Sequence, residues 1–264
     1  MPYETLREEE SDGAVVLTLN RPERRNALSP RMIAELCDAM QRFSQRRSGV
    51  LILTGAGAAF CAGMDLEHLQ SLAGRTPAEH REDSENIREL FWTLYTCPLP
   101  TIAAVNGHAI AGGTGLATIC DFTLAAPEAK FGYTEAKIGF VPAVVSAFLV
   151  RQVGEKQARD LLLTARLFPA EEARTLGLIN EVVAAPVLER AHALAQALLR
   201  NSPESLRATK RLLLEDSRAA LTQQLDAAVE ANIVARATPD FLEGVSSFLE
   251  KRTPVWNTEP RERS

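Results

Sequence analysis

The chain has 264 residues, a formal net charge of −5 and 46% hydrophobic residues, a composition typical of a globular protein with a substantial core. The negative charge argues against nucleic-acid and anionic-membrane partners, and the longest apolar run, residues 140–150, is too short to cross a bilayer. The acidic N-terminus lacks a signal segment, and the dispersed cysteines and histidines show no metal-ligand spacing, so we expect a cytoplasmic protein with reduced thiols and no metal.

The first part of the chain alternates strands and helices. The predicted elements are a strand over 15–20, a helix over 29–45, a strand over 50–53, a loop or frayed helix over 69–78 and a helix over 79–95. Ser29 followed by Pro30 is a strong helix start, and the first strand–helix–strand unit implies a parallel crossover. The GAGAAF segment at 55–60 partly imitates a dinucleotide-binding GxGxxG turn, but Phe60 replaces the third glycine, so a nicotinamide enzyme is disfavoured.

Residues 100–120, PTIAAVNGHAIAGGTGLATIC, form the segment around which the chain is organised. A strand over 101–105 is predicted to turn at Asn106-Gly107, where positive φ is tolerated, and to reach a helix at Gly112-Gly113. The first N–H groups of a helix lack intrahelical acceptors and suit a negative oxygen, although the same glycines also suit close helix–strand packing. The small residues of 61–66 would expose the amide of Met64 in the same way, and two such amides would form an oxyanion hole.

The second half becomes increasingly helical. The predicted elements are a strand over 121–125, a turn at 130–132, a helix from about 142, helices over 155–164 and 170–176, a strand over 178–183, and helices from 186 onward that break at Ser202-Pro203 and Thr238-Pro239. A helical tail of this length on an α/β core is expected to cover a sheet edge or to form an oligomer interface.

Several motifs, in order, resemble those of the crotonase (enoyl-CoA hydratase/isomerase) superfamily. The matching segments are LNRPERRNAL at 19–28, FCAGMDL at 60–66, AVNGHAIAGGTG at 104–115, FGYTEAKIGFVP at 131–142 and FLEKRTPV at 248–255. The resemblance implies an α/β fold, a crotonase-like spiral of ββα units, with a core over 1–190 and a C-terminal helical trimerisation region over 191–264. It further implies a homotrimer or homohexamer, an acyl-CoA thioester substrate, and no cofactor other than the coenzyme A of the substrate.

The resemblance also assigns the catalytic positions. It gives the oxyanion amides to Met64 and Gly112 and the acid/base role to Glu135, whose apolar neighbours would favour its neutral form. Hydratases of the family generally use two glutamates, and the first maps onto Gly115, which cannot transfer a proton. We therefore expect hydratase-type chemistry, most similar to the branched-chain, methylglutaconyl-CoA-like branch, with Δ3–Δ2 enoyl-CoA isomerase and a non-catalytic acyl-CoA-binding protein as alternatives. Gly115→Glu is expected to restore a second acid.

A weaker set of positions is expected to bind the substrate or its coenzyme A. These are Arg24, Arg25, Ala27, Ala62, Asp65, Leu66, His108 and Gly113. Some relatives have a lysine at the position of Glu67, and a glutamate cannot replace its contact with a coenzyme A phosphate. Lys251 or Arg252 would then supply the positive charge.

Overall fold

The computed structural model describes residues 2–72, 74–184 and 186–256. Within them the strands are β1 (Leu6–Ser11), β2 (Ala14–Leu19), β3 (Val50–Gly55), β4 (Ala59–Cys61), β5 (Thr101–Val105), β6 (His108–Ile110), β7 (Phe122–Ala125), β8 (Lys130–Gly132), β9 (Phe168–Pro169) and β10 (Glu181–Val182). The α-helices are α1 (Pro30–Ser44), α2 (Leu66–Ser71), α3 (Pro77–Tyr95), α4 (Gly112–Thr118), α5 (Ala143–Thr164), α6 (Ala170–Thr175), α7 (Val187–Leu199), α8 (Pro203–Glu215), α9 (Arg218–Arg236) and α10 (Pro239–Leu249). Two 3-10 helices lie at Pro22–Arg24 and Glu135–Ile138.

The strands form two sheets that the chain enters in turn. A six-stranded sheet has the order β1-β2-β3-β5-β7-β10, and a four-stranded sheet has the order β4-β6-β8-β9. In each of three successive turns, the first strand joins the larger sheet, the second joins the smaller sheet, and a helical segment follows. Neighbouring turns pair in parallel within both sheets. This repeat is a spiral of ββα units, as the motifs predict.

Both faces of the larger sheet are covered. On one face, α7 packs through Val187, Ala191 and Ala195 against alternate residues of the sheet such as Val16 and Ile52. On the other face, α1, α3 and α4 contribute to the main core. In the inner strands β2, β3, β5 and β7, side chains on both faces are therefore buried, which explains why these strands are almost continuously apolar. The edge strand β1 is instead charged and mostly exposed.

The stronger sequence signals coincide with the observed elements. The helix predicted from residue 29 is α1, with the Ser29 hydroxyl accepting a hydrogen bond from the N–H of Met32, and the predicted strand over 101–105 is β5. The turn predicted at 130–132 is wrong, because this segment is strand β8 between β6 and β9. Gly107 does not have positive φ; it is needed because a Cβ there would lie 2.1 Å from the carbonyl oxygen of Ala58.

The C-terminal helices pack closely on the rest of the chain. Helix α9 packs on α3 and α5, and α10 packs on α2 and on the 3-10 helix Glu135–Ile138. The boundary predicted between 190 and 191 falls inside α7, and the division into a core and a trimerisation region stays a prediction. In the described part of the chain, no helix combines the length and the apolar character that crossing a membrane requires.

Candidate active site

A cavity of about 400 Å³ lies where the ends of several ββα units meet α3, α5 and α9. Met64, Gly112 and Glu135 all line it, although they come from three different turns of the spiral. Most of the remaining wall is apolar, with Leu90 and Phe91 from α3 and Val144 and Val145 from α5 among its residues. A largely apolar pocket with a few converging polar groups is the usual form of a small-molecule site.

The loop carrying Met64 lies directly on the loop that precedes Gly112. Gly63 has φ +86°, and a Cβ built on it would lie 2.9 Å from the carbonyl oxygen of Ile110 and 3.5 Å from the backbone nitrogen of Gly112. Only glycine allows this approach. The Met64 loop is also held from the other side, because the N–H of Leu28 donates to Gly63 O at 2.8 Å and the N–H of Asp65 donates to Leu28 O at 3.0 Å.

The amides of Met64 and Gly112 are both free. Neither N–H has an acceptor among the described residues. Gly112 is the first residue of α4, so its N–H has no intrahelical partner, and the preceding Ala111 has φ 51° and ψ −124°, a rare conformation for a residue with a side chain. The turn at Ala111 and the close contact between the Met64 loop and the loop before Gly112 place two unpaired N–H groups at one cavity. An oxyanion requires this arrangement.

Asn26, which the motif reading did not single out, anchors the first loop. Its side chain is fully buried, and its Nδ2 donates to the carbonyl oxygens of Ala56 at 2.9 Å and Ala59 at 2.8 Å. Its Oδ1 accepts from the N–H of Arg21. Asn26 belongs to the first matching motif, so the sequence already contained it. Its hydrogen bonds give it a structural role, because they tie residues 21–28 to the loop between β3 and β4.

Glu135 is the one carboxylate that lines the cavity in the described part of the chain. Its side chain is buried, and its Oε2 has no hydrogen-bond partner. Burial raises the pKa of Glu135 to about 7, an effect that its own backbone N–H only partly opposes. A carboxyl group that titrates near neutral pH exchanges a proton readily in either direction.

The raised pKa of Glu135 predicts a pH-dependent stability. Between the ordinary pKa of 4.5 and the folded value of about 7, the native state binds a proton that the unfolded state has released. The contribution of Glu135 is therefore most favourable at low pH and is lost as the pH rises through 7. We expect the free energy of unfolding of the wild type to fall by about 2 kcal/mol relative to Glu135→Gln between pH 5 and pH 8.5.

Urea unfolding of both proteins at the two pH values measures this difference. Glu128→Gln, at an exposed position of the same chain segment, is the matched control and should follow the wild type. Identical pH dependence in the wild type and in Glu135→Gln would show that the Glu135 carboxyl does not titrate near neutrality.

The position of the missing second glutamate is filled by apolar side chains. A Cβ built on Gly115 would lie 2.5 Å from Val145 Cγ1 and 2.6 Å from Phe91 Cε1. Both residues line the cavity. The space beside Gly115, where a second acid is expected, is therefore occupied by the hydrocarbon side chains of Val145 and Phe91.

Helix α10 braces the segment that carries Glu135. A Cβ on Gly244 would lie 2.2 Å from the carbonyl carbon of Ile138, and one on Gly139 would lie 2.1 Å from the carbonyl oxygen of Asp240. The two glycines allow backbone-to-backbone contact just after the 3-10 helix. The FLEKRTPV motif thus begins on a helix that holds the Glu135 segment in place, and its Phe248 lines the cavity.

The predicted substrate- and coenzyme-A-binding residues divide into two groups. Arg25, Ala62, Leu66 and His108 line the cavity, whereas Arg24, Ala27, Asp65 and Gly113 do not. Their assignments stay predictions.

Several of these residues are already engaged within the protein. Arg24 forms an ion pair with Glu67 at 2.6 Å, and Asp65 pairs with Arg21 at 2.8 Å while capping α2. Arg252 is held by Glu243 and Glu250.

The cavity also has a cation that the sequence reading missed. Lys137 lines it, and neither Lys137 nor Arg25 forms an ion pair with a described residue. The sequence could have indicated Lys137, because it lies two residues after Glu135, on the same 3-10 helix.

The GAGAAF segment joins β3 to β4 instead of opening a helix, and so differs from a dinucleotide-binding turn.

Comparison with known proteins gives a consistent result. The sequence model of the family described as enoyl-CoA hydratase/isomerase matches residues 9–259. A Thermus thermophilus protein described as "Putative enoyl-CoA hydratase" is 47% identical over 248 residues, covering 93% of this chain and 98% of that protein. A crystal structure of an enoyl-CoA hydratase/isomerase from Xanthobacter autotrophicus Py2 matches with a TM-score of 0.88 and 30% identity over 94% of each chain.

A second solved structure, an enoyl-CoA hydratase from Bacillus halodurans, matches with a TM-score of 0.86 and 29% identity, covering 92% of this chain and all of that one (100%). These matches confirm the crotonase-like fold that the motifs predict. Because the family match spans nearly the whole sequence, the chain belongs to the enoyl-CoA hydratase/isomerase family.

Proposed function

We propose that this protein hydrates a 2-enoyl-CoA thioester through an enolate intermediate. The observation that carries the proposal is the convergence of two acceptor-free amides, Met64 and Gly112, and one buried carboxyl, Glu135, on a single apolar cavity. The family and the names of the relatives support the substrate class.

In this mechanism the thioester oxygen accepts hydrogen bonds from the N–H groups of Met64 and Gly112. The Glu135 carboxylate takes a proton from water while the water oxygen bonds to C3, and the electrons of the double bond move onto the thioester oxygen. The Glu135 carboxyl then returns the proton to C2 as the enolate collapses. The two amides stabilise the negative charge where it develops, and each such donor typically contributes about 3–4 kcal/mol to lowering the barrier.

Isomerisation of a 3-enoyl-CoA is the second candidate. Phe91 and Val145 fill the place of a second acid, so one carboxyl group has to perform every proton transfer. Glu135 would take a proton from C2 of the 3-enoyl ester and deliver it to C4, with the oxygen of the intervening dienolate held between the two amides. No water is consumed, and a hydrocarbon wall opposite the acid does not impede that reaction.

The free cations at the cavity support binding of the coenzyme A phosphates. Arg25 and Lys137 have no ion-pair partner in the described chain, whereas Arg24 would have to exchange Glu67 for a phosphate. The predicted trimer or hexamer remains a proposal, supported by Leu212 and Leu213, which are 71% and 75% exposed on α8.

Product analysis separates the candidates. Purified protein is incubated with 2-hexenoyl-CoA and with 3-hexenoyl-CoA, and the products are identified by mass spectrometry and NMR. Hydration adds the mass of one water to the 2-enoyl ester, and isomerisation converts the 3-enoyl ester without changing its mass. Absence of both reactions, with the esters still bound, would overturn the enzymatic proposal and favour the non-catalytic alternative.

A further inference from the structure

One polar residue of the cavity wall has no part in the proposed chemistry. Asn232 of α9 lines the cavity and is 3% exposed. Its Oδ1 is buried without a hydrogen-bond partner, and its side chain makes no hydrogen bond to any described residue. An unpaired buried amide group typically costs about 1–3 kcal/mol, whereas a leucine at this position would add favourable apolar surface.

Helix α3, which packs on α9, carries a second unpaired polar group. Helices α3 and α9 run antiparallel, as the Arg88–Asp226 and Arg81–Glu230 ion pairs show. Ser84 of α3 has a hydroxyl that is likewise buried without a partner, but it does not line the cavity. The wall that α9 contributes to the cavity therefore offers one hydrogen-bonding side chain, Asn232, that the described protein leaves unsatisfied.

The charges behind Asn232 cancel. Arg236, one turn further along α9, is fully enclosed and forms an ion pair with Asp83 at 2.6 Å, and Asp83 also lies 2.5 Å from Nε2 of His68. The Arg236 guanidinium donates in addition to the carbonyl oxygen of His80. Since this positive charge is already paired, it does not favour a charged group over a neutral one at Asn232.

We infer that Asn232 is a specificity-determining residue and that the substrate is an acyl-CoA whose acyl chain carries a neutral hydrogen-bonding group, a hydroxyl or a ketone. The inference rests on the proposed acyl-CoA function and adds the class of acyl group. The chain oxygen accepts from Nδ2 of Asn232, and a hydroxyl also donates to Oδ1. A plain hydrocarbon chain offers no hydrogen-bond partner to either atom of the amide, so a site of this kind discriminates against it.

Calorimetric binding of saturated esters tests the inference without requiring turnover. The probes are hexanoyl-CoA and the 4-, 5- and 6-hydroxyhexanoyl-CoA esters. The three hydroxy esters place the hydroxyl at three distances from the thioester, so that the position that reaches Asn232 is identified by the measurement. With the wild type, at least one hydroxy ester should bind about tenfold more tightly than hexanoyl-CoA. Asn232→Leu should reverse that order, and Asn201→Leu, an exposed control, should preserve it.

The outcomes also distinguish this inference from the proposed function. Asn232→Leu should bind hexanoyl-CoA at least as tightly as the wild type, which shows that the variant is folded. A wild type that prefers hexanoyl-CoA over every hydroxy ester, or an order that Asn232→Leu leaves unchanged, overturns the role of Asn232 alone. Failure of all four esters to bind the wild type overturns the acyl-CoA proposal itself, together with this inference.

Discussion

Glu135→Gln is expected to lower kcat by about a thousandfold, because positioned acid/base groups contribute about a hundredfold to ten-thousandfold. Glutamine keeps the size of the side chain but cannot exchange a proton. The amides of Met64 and Gly112 and the apolar walls are unchanged, so affinity for an acyl-CoA ester should stay within a few-fold. The measurement is steady-state kinetics on whichever enoyl-CoA the product analysis identifies, together with calorimetric binding of hexanoyl-CoA.

The pH profile provides the corroborating measurement. If Glu135 acts first as a base, kcat/KM of the wild type should rise with pH and level off above the raised pKa of about 7. The exposed Glu128→Gln control should show the same profile and the same kcat as the wild type. Substantial turnover by Glu135→Gln would show that another group moves the proton.

Helix starts and the long apolar strands could be predicted because their signals are local, whereas the charged strand β1 (Leu6–Ser11) was missed. Ser-Pro and Thr-Pro pairs mark the beginnings of α1, α8 and α10, where a hydroxyl caps the first turn and proline occupies the first helical position. The short strands β4, β6, β8 and β9 were missed or misread. Strands of two or three residues have no periodicity of their own, and their pairing depends on partners far away in sequence.

Some residues of the candidate site could likewise be predicted from the sequence, and others could not. The positions of Met64, Gly112 and Glu135 follow from motifs that keep their order along the chain, and the structure brings these residues to one cavity. Asn232 could not be found by this route, because it reaches the cavity only through the packing of α9. Phe248 begins a matching motif, but the motif does not indicate that its ring lines the cavity. Phe91 likewise comes from α3, and no local pattern indicates that its ring occupies the space beside Gly115.

This packing changes what is expected of Gly115→Glu. The sequence suggests that the substitution restores a second acid, but the first carbon of the new side chain would already overlap Val145 Cγ1 and Phe91 Cε1. Overpacking of a core costs about 1–3 kcal/mol, and a carboxylate beside an aromatic ring and a valine adds the cost of a buried charge. We therefore expect Gly115→Glu to lower the free energy of unfolding by at least about 3 kcal/mol without raising the hydration rate.

Gly115→Ala separates the steric part from the charge. Alanine gains about 1 kcal/mol of helix propensity over glycine but meets the same two side chains, so its net effect on stability should be a modest loss. Urea unfolding of the wild type and of both variants at one pH gives the three free energies. The difference between the alanine and glutamate variants then measures the cost of the longer, charged side chain.

Phe91→Ala supplies the decisive comparison. If the ring of Phe91 is what excludes a side chain at position 115, combining Phe91→Ala with Gly115→Glu should destabilise the protein by clearly less than the sum of the single effects. The double variant removes one of the two obstructing side chains and leaves Val145, so any gain in hydration should appear there and not in Gly115→Glu. A Gly115→Glu protein with wild-type stability and faster hydration would instead show that Phe91 and Val145 move aside at little cost, and that the second acid is absent for a reason other than space.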